Sequence, residues 1–237
     1  MRAMVLAAGR GERMRPLSDR TPKPLLSVGG KPLIGHMLQG LARAGVHDVV
    51  INLSWLGAQI REALGDGAAF GVRIRYSEEG PVPLETGGGV LHALPLLGTE
   101  PFLVVSGDIW TEFDFGELTH AAGRAAILDP GADARIVLVR NPAFHPCGDF
   151  GLEADRVIER ATETLTYANI GLYRRELFAD CKPGRFPLVE PLRRAIAAGR
   201  LQGQRFDGAW MNLGTPEQLA MLDARLSQPE HGAAERE

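Results

Sequence analysis

Cysteine is scarce in this 237-residue chain, which contains only Cys147 and Cys181. Their spacing matches no metal-ligand motif and no disulfide framework, so we expect two buried thiols in a reducing, cytoplasmic environment. Long apolar runs are also missing. The run at residues 3–8 is too short for a signal peptide, and no stretch approaches the ~20 apolar residues that span a membrane. The sequence therefore predicts a cytoplasmic protein with no membrane partner.

The chain also lacks a general excess of positive charge, which argues against a nucleic-acid-binding protein. Its formal net charge is −3, but residues 1–31 carry +5 and the other 206 residues carry −8. The cations of that first segment are Arg2, Arg10, Arg13, Arg15, Arg20, Lys23 and Lys31. A basic segment on an acidic protein indicates a small polyanionic ligand rather than a nucleic acid.

Short apolar runs alternate with longer helical patterns, which is typical of an α/β domain whose parallel strands are joined by helices. The predicted strands are residues 3–8, 48–53, 72–76, 102–106, 134–139, 150–152, 156–158, 167–173 and 201–206. The predicted helices are residues 32–44, 56–64, 89–94 and 188–198, and a last one in "GTPEQLAMLDARL". In that last helix Thr215 and Gln218 form a capping box. We expect the second half of the chain to cover the edge of the sheet as a lid.

The segment "LAAGRGERMRPL" follows the first predicted strand, at the sheet edge where open α/β folds bind ligands. Glycine lets backbone amides approach an anion, and arginine side chains fork onto phosphate oxygens. A bound triphosphate would explain this crowding of charge, although a solvated basic loop is the simpler alternative. Two other phosphate motifs do not fit: Met14 replaces the third glycine of a dinucleotide fingerprint, and Gly30-Lys31-Pro32 is not a Walker sequence.

The longer block "LAAGRGERMRPLSDRTPKPLLSVGGKPLI" resembles the signature of the sugar-1-phosphate nucleotidylyltransferases. The later blocks "LETGGGVLHAL", "VVSGDIW" and "WMNLGTPEQL" fall where that family places them, so the resemblance covers residues 1–226. It implies a Rossmann-like, mostly parallel sheet between helices, with a small sugar-binding lid. It also implies one domain at residues 1–226, in which residues 1–140 bind nucleotide and residues 141–226 form the sugar-binding part and closing helix. Residues 227–237 would be a flexible tail.

The resemblance implies that a nucleoside triphosphate and a sugar 1-phosphate react to give a nucleotide-sugar and pyrophosphate. The implied catalytic residues are Arg13, Lys23 and Asp108. Asp108 and Asn212 would hold Mg²⁺, although the family usually has aspartate at the second position. Asn212 leaves two interpretations open: a working site with fewer charged ligands, or an impaired one. The implied nucleotide-binding residues are Leu6, Ala8, Gly9, Gly11, Arg13, Lys23, Thr86 and Gly87.

The implied sugar-binding residues are Asp149, Gly151, Asn169 and Trp210. Many relatives carry a Glu-Lys-Pro segment whose lysine holds the sugar phosphate. Here the corresponding residues are Glu159-Arg160-Ala161, so that lysine is missing and Arg160 is either a partial substitute or a solvated charge. Trp210 is either a platform for the sugar or a core aromatic residue.

Within the family, the short chain together with "GERMRPL", "LETGGG" and "GDF" most resembles the enzymes that uridylylate N-acetylmuramate α-1-phosphate in bacterial cell-wall recycling. That resemblance implies UTP as the nucleotide. The alternatives are a thymidylyl-, uridylyl- or guanylyltransferase acting on a hexose 1-phosphate, and a nucleotide-sugar-binding regulatory subunit without turnover. A nicotinamide oxidoreductase is a third and weaker reading. The oligomeric state is not predicted.

Overall fold

A nine-stranded mixed sheet forms the centre of the computed structural model, which describes residues 1–119 and 128–227. The strand order is β5-β4-β1-β6-β11-β8-β12-β10-β9. These strands are β1 (Arg2–Leu6), β4 (Asp48–Leu53), β5 (Arg73–Glu78), β6 (Phe102–Ser106), β8 (Ala134–Val139), β9 (Gly151–Glu153), β10 (Arg156–Ile158), β11 (Thr166–Tyr173) and β12 (Leu201–Phe206). Two small antiparallel sheets of two strands each lie outside this sheet: β2 (Ser27–Val28) with β3 (Lys31–Pro32), and β7 (Ile109–Thr111) with β13 (Trp210–Asn212).

Strand direction follows the predicted α/β pattern, with two exceptions. β5, β4, β1 and β6 are mutually parallel, and β8 is parallel to β12. β11 runs antiparallel to both β6 and β8, and β10 runs antiparallel to its neighbours. The carboxyl ends of the parallel strands therefore meet along one edge, where a ligand site is expected.

Helices cover both faces of the sheet and bury its apolar side chains, which is the main source of stability in such a fold. One core cluster includes residues of α2 (Leu33–Arg43), α3 (Gly57–Leu64) and α5 (Gly116–Thr119). The opposite cluster includes residues of α4 (Glu85–Leu97) and α6 (Val189–Ala197). A third cluster joins β2 and β7 to α7 (Pro216–Ser227). The remaining short helix, α1, spans Leu17–Arg20.

Capping chemistry confirms the predicted start of α7. The Thr215 hydroxyl accepts a hydrogen bond from the Gln218 amide at 3.4 Å, and Gln218 Oε1 accepts from the amides of Thr215 and Gly214. This reciprocal arrangement satisfies N–H groups that have no partner inside the helix.

The structure corrects three local expectations. Cys147 is exposed and Cys181 is only half-buried, so the two thiols are not core residues. Residues 141–226 do not simply cover the sheet edge, because they supply β9, β10, β11 and β12 to the sheet. The helix expected at residues 89–94 spans Glu85–Leu97, since tertiary contacts override the poor helix propensity of its three glycines.

Within the described residues, no helix is both long and apolar enough to cross a membrane. Of the tail expected at residues 227–237, Ser227 ends α7, and residues 228–237 lie outside the described part of the chain.

Candidate active site

The loop after β1 crosses the carboxyl edge of the sheet and is shaped by its glycines. Gly11 has φ of +65°, a left-handed conformation that glycine adopts without steric cost, and a short 3-10 helix begins directly after it. A Cβ built on Gly9 would meet nothing within 4 Å. Protein packing therefore leaves open space in front of Gly9, into which a ligand can approach the backbone.

Each of the three arginines of this loop contacts a different part of the protein. The Arg10 guanidinium lies 4.4 Å from the centre of the Trp55 ring, which is cation–π geometry. Arg15 pairs with Asp19 at 3.1 Å. Arg13 makes no ion pair with any described residue, and its guanidinium lies against the backbone of Gly214, where a Cβ would be 3.1 Å from Arg13 Cζ. Arg13 is thus the loop arginine whose charge is not already matched.

Lys23 and Asp108, both predicted to be catalytic, form an ion pair. Lys23 lies in a 3-10 turn between two prolines, is only 7% exposed, and places Nζ 2.7 Å from Asp108 Oδ2. Asp108 follows Gly107 in the turn between β6 and β7. A Cβ at Gly107 would lie 2.8 Å from the Leu6 carbonyl oxygen, so only glycine lets this turn approach β1 so closely.

Asn212 is brought to the same turn by the antiparallel pairing of β13 with β7. It pairs with Ile109, and the next amide, that of Leu213, donates to the Asp108 carbonyl at 3.0 Å. Asn212 Oδ1 is buried and has no hydrogen-bond partner among the described residues. A buried amide oxygen without a partner is unusual, because its desolvation is uncompensated.

The donor chemistry of Asp108 and Asn212 suits a hard divalent cation, which prefers carboxylate and amide oxygens. The orphaned Asn212 oxygen next to the carboxylate turn is the observation that fits such an ion. Among the described residues there is no group of three or more His, Cys, Asp or Glu side chains that could hold a metal. A cation here would therefore depend on water and on phosphate oxygens for its other ligands.

A cavity of about 180 Å³ opens at this edge of the sheet. Seven residues predicted to bind nucleotide or metal line it: Leu6, Ala8, Gly9, Gly11, Lys23, Thr86 and Asp108. Arg13, Gly87 and Asn212, which were also predicted to bind nucleotide or metal, are not among the lining residues. The cavity also has lining residues that the sequence analysis missed, of which the most informative are Asn52, Glu79 and Glu85.

Asn52 and Glu79 connect the walls of the cavity. Asn52, only 3% exposed at the end of β4, accepts a hydrogen bond from the Ala7 amide at 2.7 Å and donates to Glu79 Oε1 at 2.6 Å. The other Glu79 oxygen accepts from the Leu84 amide at 2.7 Å. The network links the β1 loop to the start of α4. The available sequence signal was a polar residue next to the last position of a buried strand, but it does not reveal the distant partners of Asn52.

The glycines at the start of α4 allow close packing against the segment at residues 184–188. The amides of Gly87 and Gly88 both donate to the Phe186 carbonyl at 3.0 Å, and the Leu188 amide donates to the Thr86 hydroxyl at 2.8 Å. A Cβ at Gly88 would lie 2.1 Å from the Gly184 oxygen. Close packing therefore accounts for the glycine at position 87, where a Cβ would lie 2.5 Å from the Phe186 ring, whereas Thr86 also lines the cavity.

Three of the four predicted sugar-binding residues gather around an irregularity in β11. The register of β11 against β8 shifts between Tyr167 and Gly171, and Asn169 within it has φ of +58°. Asp149 Oδ2 accepts from the Tyr167 amide at 2.8 Å, and Trp210 Nε1 donates to the Ala168 carbonyl at 2.9 Å.

Gly151, the fourth predicted sugar-binding residue, lies in β9 at the outer edge of the sheet. A Cβ on it would meet the Ala161 Cβ at 2.5 Å, so the glycine is required by a neighbouring segment. None of the four residues lines the nucleotide cavity. Trp210 is half-buried and packs against the first core cluster, as its interpretation as a core aromatic residue predicts.

The profile of the nucleotidyl transferase family matches residues 2–144 of the chain. The chain is 49% identical to the N-acetylmuramate alpha-1-phosphate uridylyltransferase of Neisseria meningitidis serogroup B, over 91% of this chain and 94% of that protein. It is 39% identical to the enzyme of the same name from Caulobacter vibrioides, over 95% and 97% of the respective chains.

Solved structures show the same fold at low sequence identity. A Bacillus anthracis protein described as a glucose-1-phosphate thymidylyltransferase superimposes with a TM-score of 0.83 at 22% identity, covering 98% of this chain and 97% of that one. HddC from Yersinia pseudotuberculosis, complexed with GMP-PN, gives 0.74 at 19% identity, covering 94% and 98%. With the family profile and the two curated relatives, these findings show that the chain belongs to the nucleotidyl transferase family.

Proposed function

We propose that this protein transfers a uridylyl group from UTP to N-acetylmuramate α-1-phosphate, giving UDP-N-acetylmuramate and pyrophosphate. The observation that carries the proposal is the lining of the sheet-edge cavity, where open glycine backbone, Lys23 and Asp108 meet. The names of the two curated relatives, which align over almost their full length, supply the substrate pair.

In this reaction an oxygen of the sugar phosphate attacks the α-phosphorus of UTP, and the bond from that phosphorus to the bridging oxygen of the β-phosphate breaks. The difficulty is repulsion between two anions. Unit charges 4 Å apart interact by about 4 kcal/mol at an effective dielectric of 20. The chain's task is to align the two phosphates and offset their charge, and no covalent intermediate with the protein is needed.

We assign this task to Lys23 and Arg13. The Lys23 ammonium is almost buried, so its charge is weakly screened and acts at short range on phosphate oxygens. Arg13 is exposed, which suits a residue that binds the pyrophosphate leaving group. The amides around Ala8, Gly9 and Gly11 would add neutral donors, and Leu6 and Thr86 would bound the nucleoside.

Nucleotidyltransferases generally use a divalent cation, and we propose Mg²⁺ held by Asp108 and Asn212. When bound, the ion would neutralise charge on the triphosphate. Asp108 Oδ2 is engaged by Lys23, so loading the site requires that carboxylate to share its other oxygen or to release the ammonium to the phosphates. Lys23 would then move from a carboxylate to a phosphate partner.

We propose that the sugar lies over the β11 irregularity, contacting Asp149, Asn169 and Trp210, with Gly151 as part of the surrounding wall. Asn169 adopts a left-handed backbone conformation, which asparagine tolerates better than most residues with a side chain. Non-glycine residues in this conformation cluster at ligand sites. Residues 1–140 would thus hold the nucleotide and residues 141–226 the sugar.

The test is a matrix of UTP, dTTP, GTP and ATP against N-acetylmuramate, N-acetylglucosamine, glucose and mannose α-1-phosphates, read by pyrophosphate release with MgCl₂. We expect the highest kcat/KM for UTP with N-acetylmuramate α-1-phosphate. A preference for a hexose phosphate would overturn the assigned acceptor. Tight binding of UDP-N-acetylmuramate without turnover of any pair would instead indicate the regulatory, non-catalytic alternative, which the neutral Asn212 favours.

A further inference from the structure

An ion pair spans the start of α4 and the segment at residues 184–188. Arg185 Nε lies 2.8 Å from Glu85 Oε1, and the Arg185 side chain is 64% exposed. Glu85 lines the nucleotide cavity, so the pair stands at its mouth. Within the described residues, Arg185 has no second ion pair or hydrogen bond that engages its terminal nitrogens. A guanidinium has five donors, so most of its binding capacity remains available.

The backbone that carries Arg185 is firmly attached to α4. Phe186 accepts two amide hydrogen bonds from Gly87 and Gly88 and donates its own amide to the Leu84 carbonyl at 3.2 Å. The Leu188 amide adds the hydrogen bond to Thr86. These contacts lie immediately next to Arg185 in sequence. They present its side chain from a fixed position, which lowers the entropic cost of using it in recognition.

Stability does not account for this ion pair. Exposed ion pairs contribute little, because water screens them and two long side chains must be ordered. Glu85 also has φ of +62°, a left-handed conformation that favours glycine over any residue with a side chain. A strained glutamate paired with an exposed arginine at the mouth of a cavity is better explained by ligand recognition.

We infer that Arg185 binds a carboxylate of the sugar substrate, with Glu85 as the internal anion that the substrate displaces. The inference rests on the proposed function: N-acetylmuramate differs from N-acetylglucosamine by a lactyl ether that ends in a carboxylate. Arginine matches this group bidentately through parallel N–H donors. The pair thereby selects a substrate with an anionic arm over the same sugar without one.

Other arginines of residues 141–226 and the preceding Arg140 are less suitable. Both Arg140 and Arg205 are paired with Asp207. Arg160 is exposed and makes no ion pair with a described residue, so it is the serious competitor. Unlike Arg185, Arg160 forms no ion pair with a residue that lines the cavity, and it is not next to a backbone segment that is hydrogen-bonded to α4.

The test measures dissociation constants of UDP-N-acetylmuramate and UDP-N-acetylglucosamine by calorimetry, for the wild-type protein and four variants. We expect R185Q to weaken UDP-N-acetylmuramate by about 10- to 100-fold and UDP-N-acetylglucosamine by less than about 2-fold, as for loss of a charge-assisted hydrogen bond. E85Q should strengthen the binding of UDP-N-acetylmuramate relative to UDP-N-acetylglucosamine, because it removes the anion that competes for Arg185. R73Q, which breaks an exposed pair with Asp48 at the opposite sheet edge, is the matched control and should change neither constant.

Equal loss of both ligands in R185Q would reduce Arg185 to a structural residue and overturn the inference. So would a change of preference in R160Q but not in R185Q. The proposed function fails separately, and takes this inference with it, if the wild-type protein neither forms UDP-N-acetylmuramate from UTP nor prefers it as a ligand.

Discussion

Replacement of Asp108 by asparagine tests the Lys23–Asp108 pair for both stability and catalysis. The substitution keeps the shape of the side chain but leaves the Lys23 ammonium, whose side chain is 8% exposed, without its anion. Loss of one partner costs about 3–5 kcal/mol for a fully buried pair and about 0–1 kcal/mol for an exposed one. The Asp108 side chain is 36% exposed. We therefore expect D108N to lose ~2 kcal/mol of unfolding free energy, or ~4–8 °C in Tm for a chain of this size.

A second substitution separates this loss from catalysis. In the D108N background, K23M replaces the unpaired Lys23 ammonium with an apolar side chain of similar size. The double variant should therefore regain most of the lost stability. Pyrophosphate release should fall by about 100-fold or more in D108N and should not return in the double variant, because the charges that act on the phosphates are gone. The matched control is D48N, which breaks only the exposed pair with Arg73.

Urea unfolding and pyrophosphate release on the four proteins provide both readouts. A double variant that is as unstable as D108N, or less stable, would show that the unpaired ammonium is not what makes D108N unstable. Wild-type turnover in D108N would remove Asp108 from the reaction altogether.

Three further outcomes are expected. N212D adds a carboxylate beside Asp108, so Mn²⁺ should bind more tightly in calorimetry while turnover at saturating Mg²⁺ changes little; a large gain in turnover would mean that the natural site is impaired. N169G should match the wild-type Tm, whereas N169A should lose ~1 kcal/mol, since φ at this position is +58°. Burial lowers the pKa of His36, so protonation of this side chain favours the unfolded state. The free energy of unfolding should therefore decrease as the pH is lowered from about 7.5 to about 5.5. H36Q should make the free energy of unfolding, measured by urea titration, less dependent on pH, and an unchanged dependence would contradict this explanation.

The parts of the site that could be predicted are encoded locally. β1 and its loop follow from an apolar run that stops at glycine and arginine, and α7 follows from a capping box within four residues. Asp108 could be placed because it directly follows a buried strand. The structure brings it together with Lys23, although their ion pair joins residues 85 positions apart.

The parts that could not be predicted depend on distant contacts. The roles of Asn52 and Glu79 arise only when β1, β4 and α4 meet, which no local pattern reveals. The early start of α4 depends on the segment around Gly184, which requires glycine on the facing helix. The reversal of β11 leaves no periodic signal, because a buried strand has the same apolar composition in either direction.

The pairing of β7 with β13 makes the proposed active site depend on residues that are synthesised after the whole of the main sheet. Every strand of the nine-stranded sheet is complete by Phe206, whereas Asn212 and the Gly214 backbone that supports Arg13 come afterwards. A chain that ends at β12 would already contain Lys23, Asp108 and every residue lining the sheet-edge cavity. Under the proposed function, such a truncated chain would keep the cavity lining but would lack both the second proposed metal ligand and the backbone that contacts Arg13.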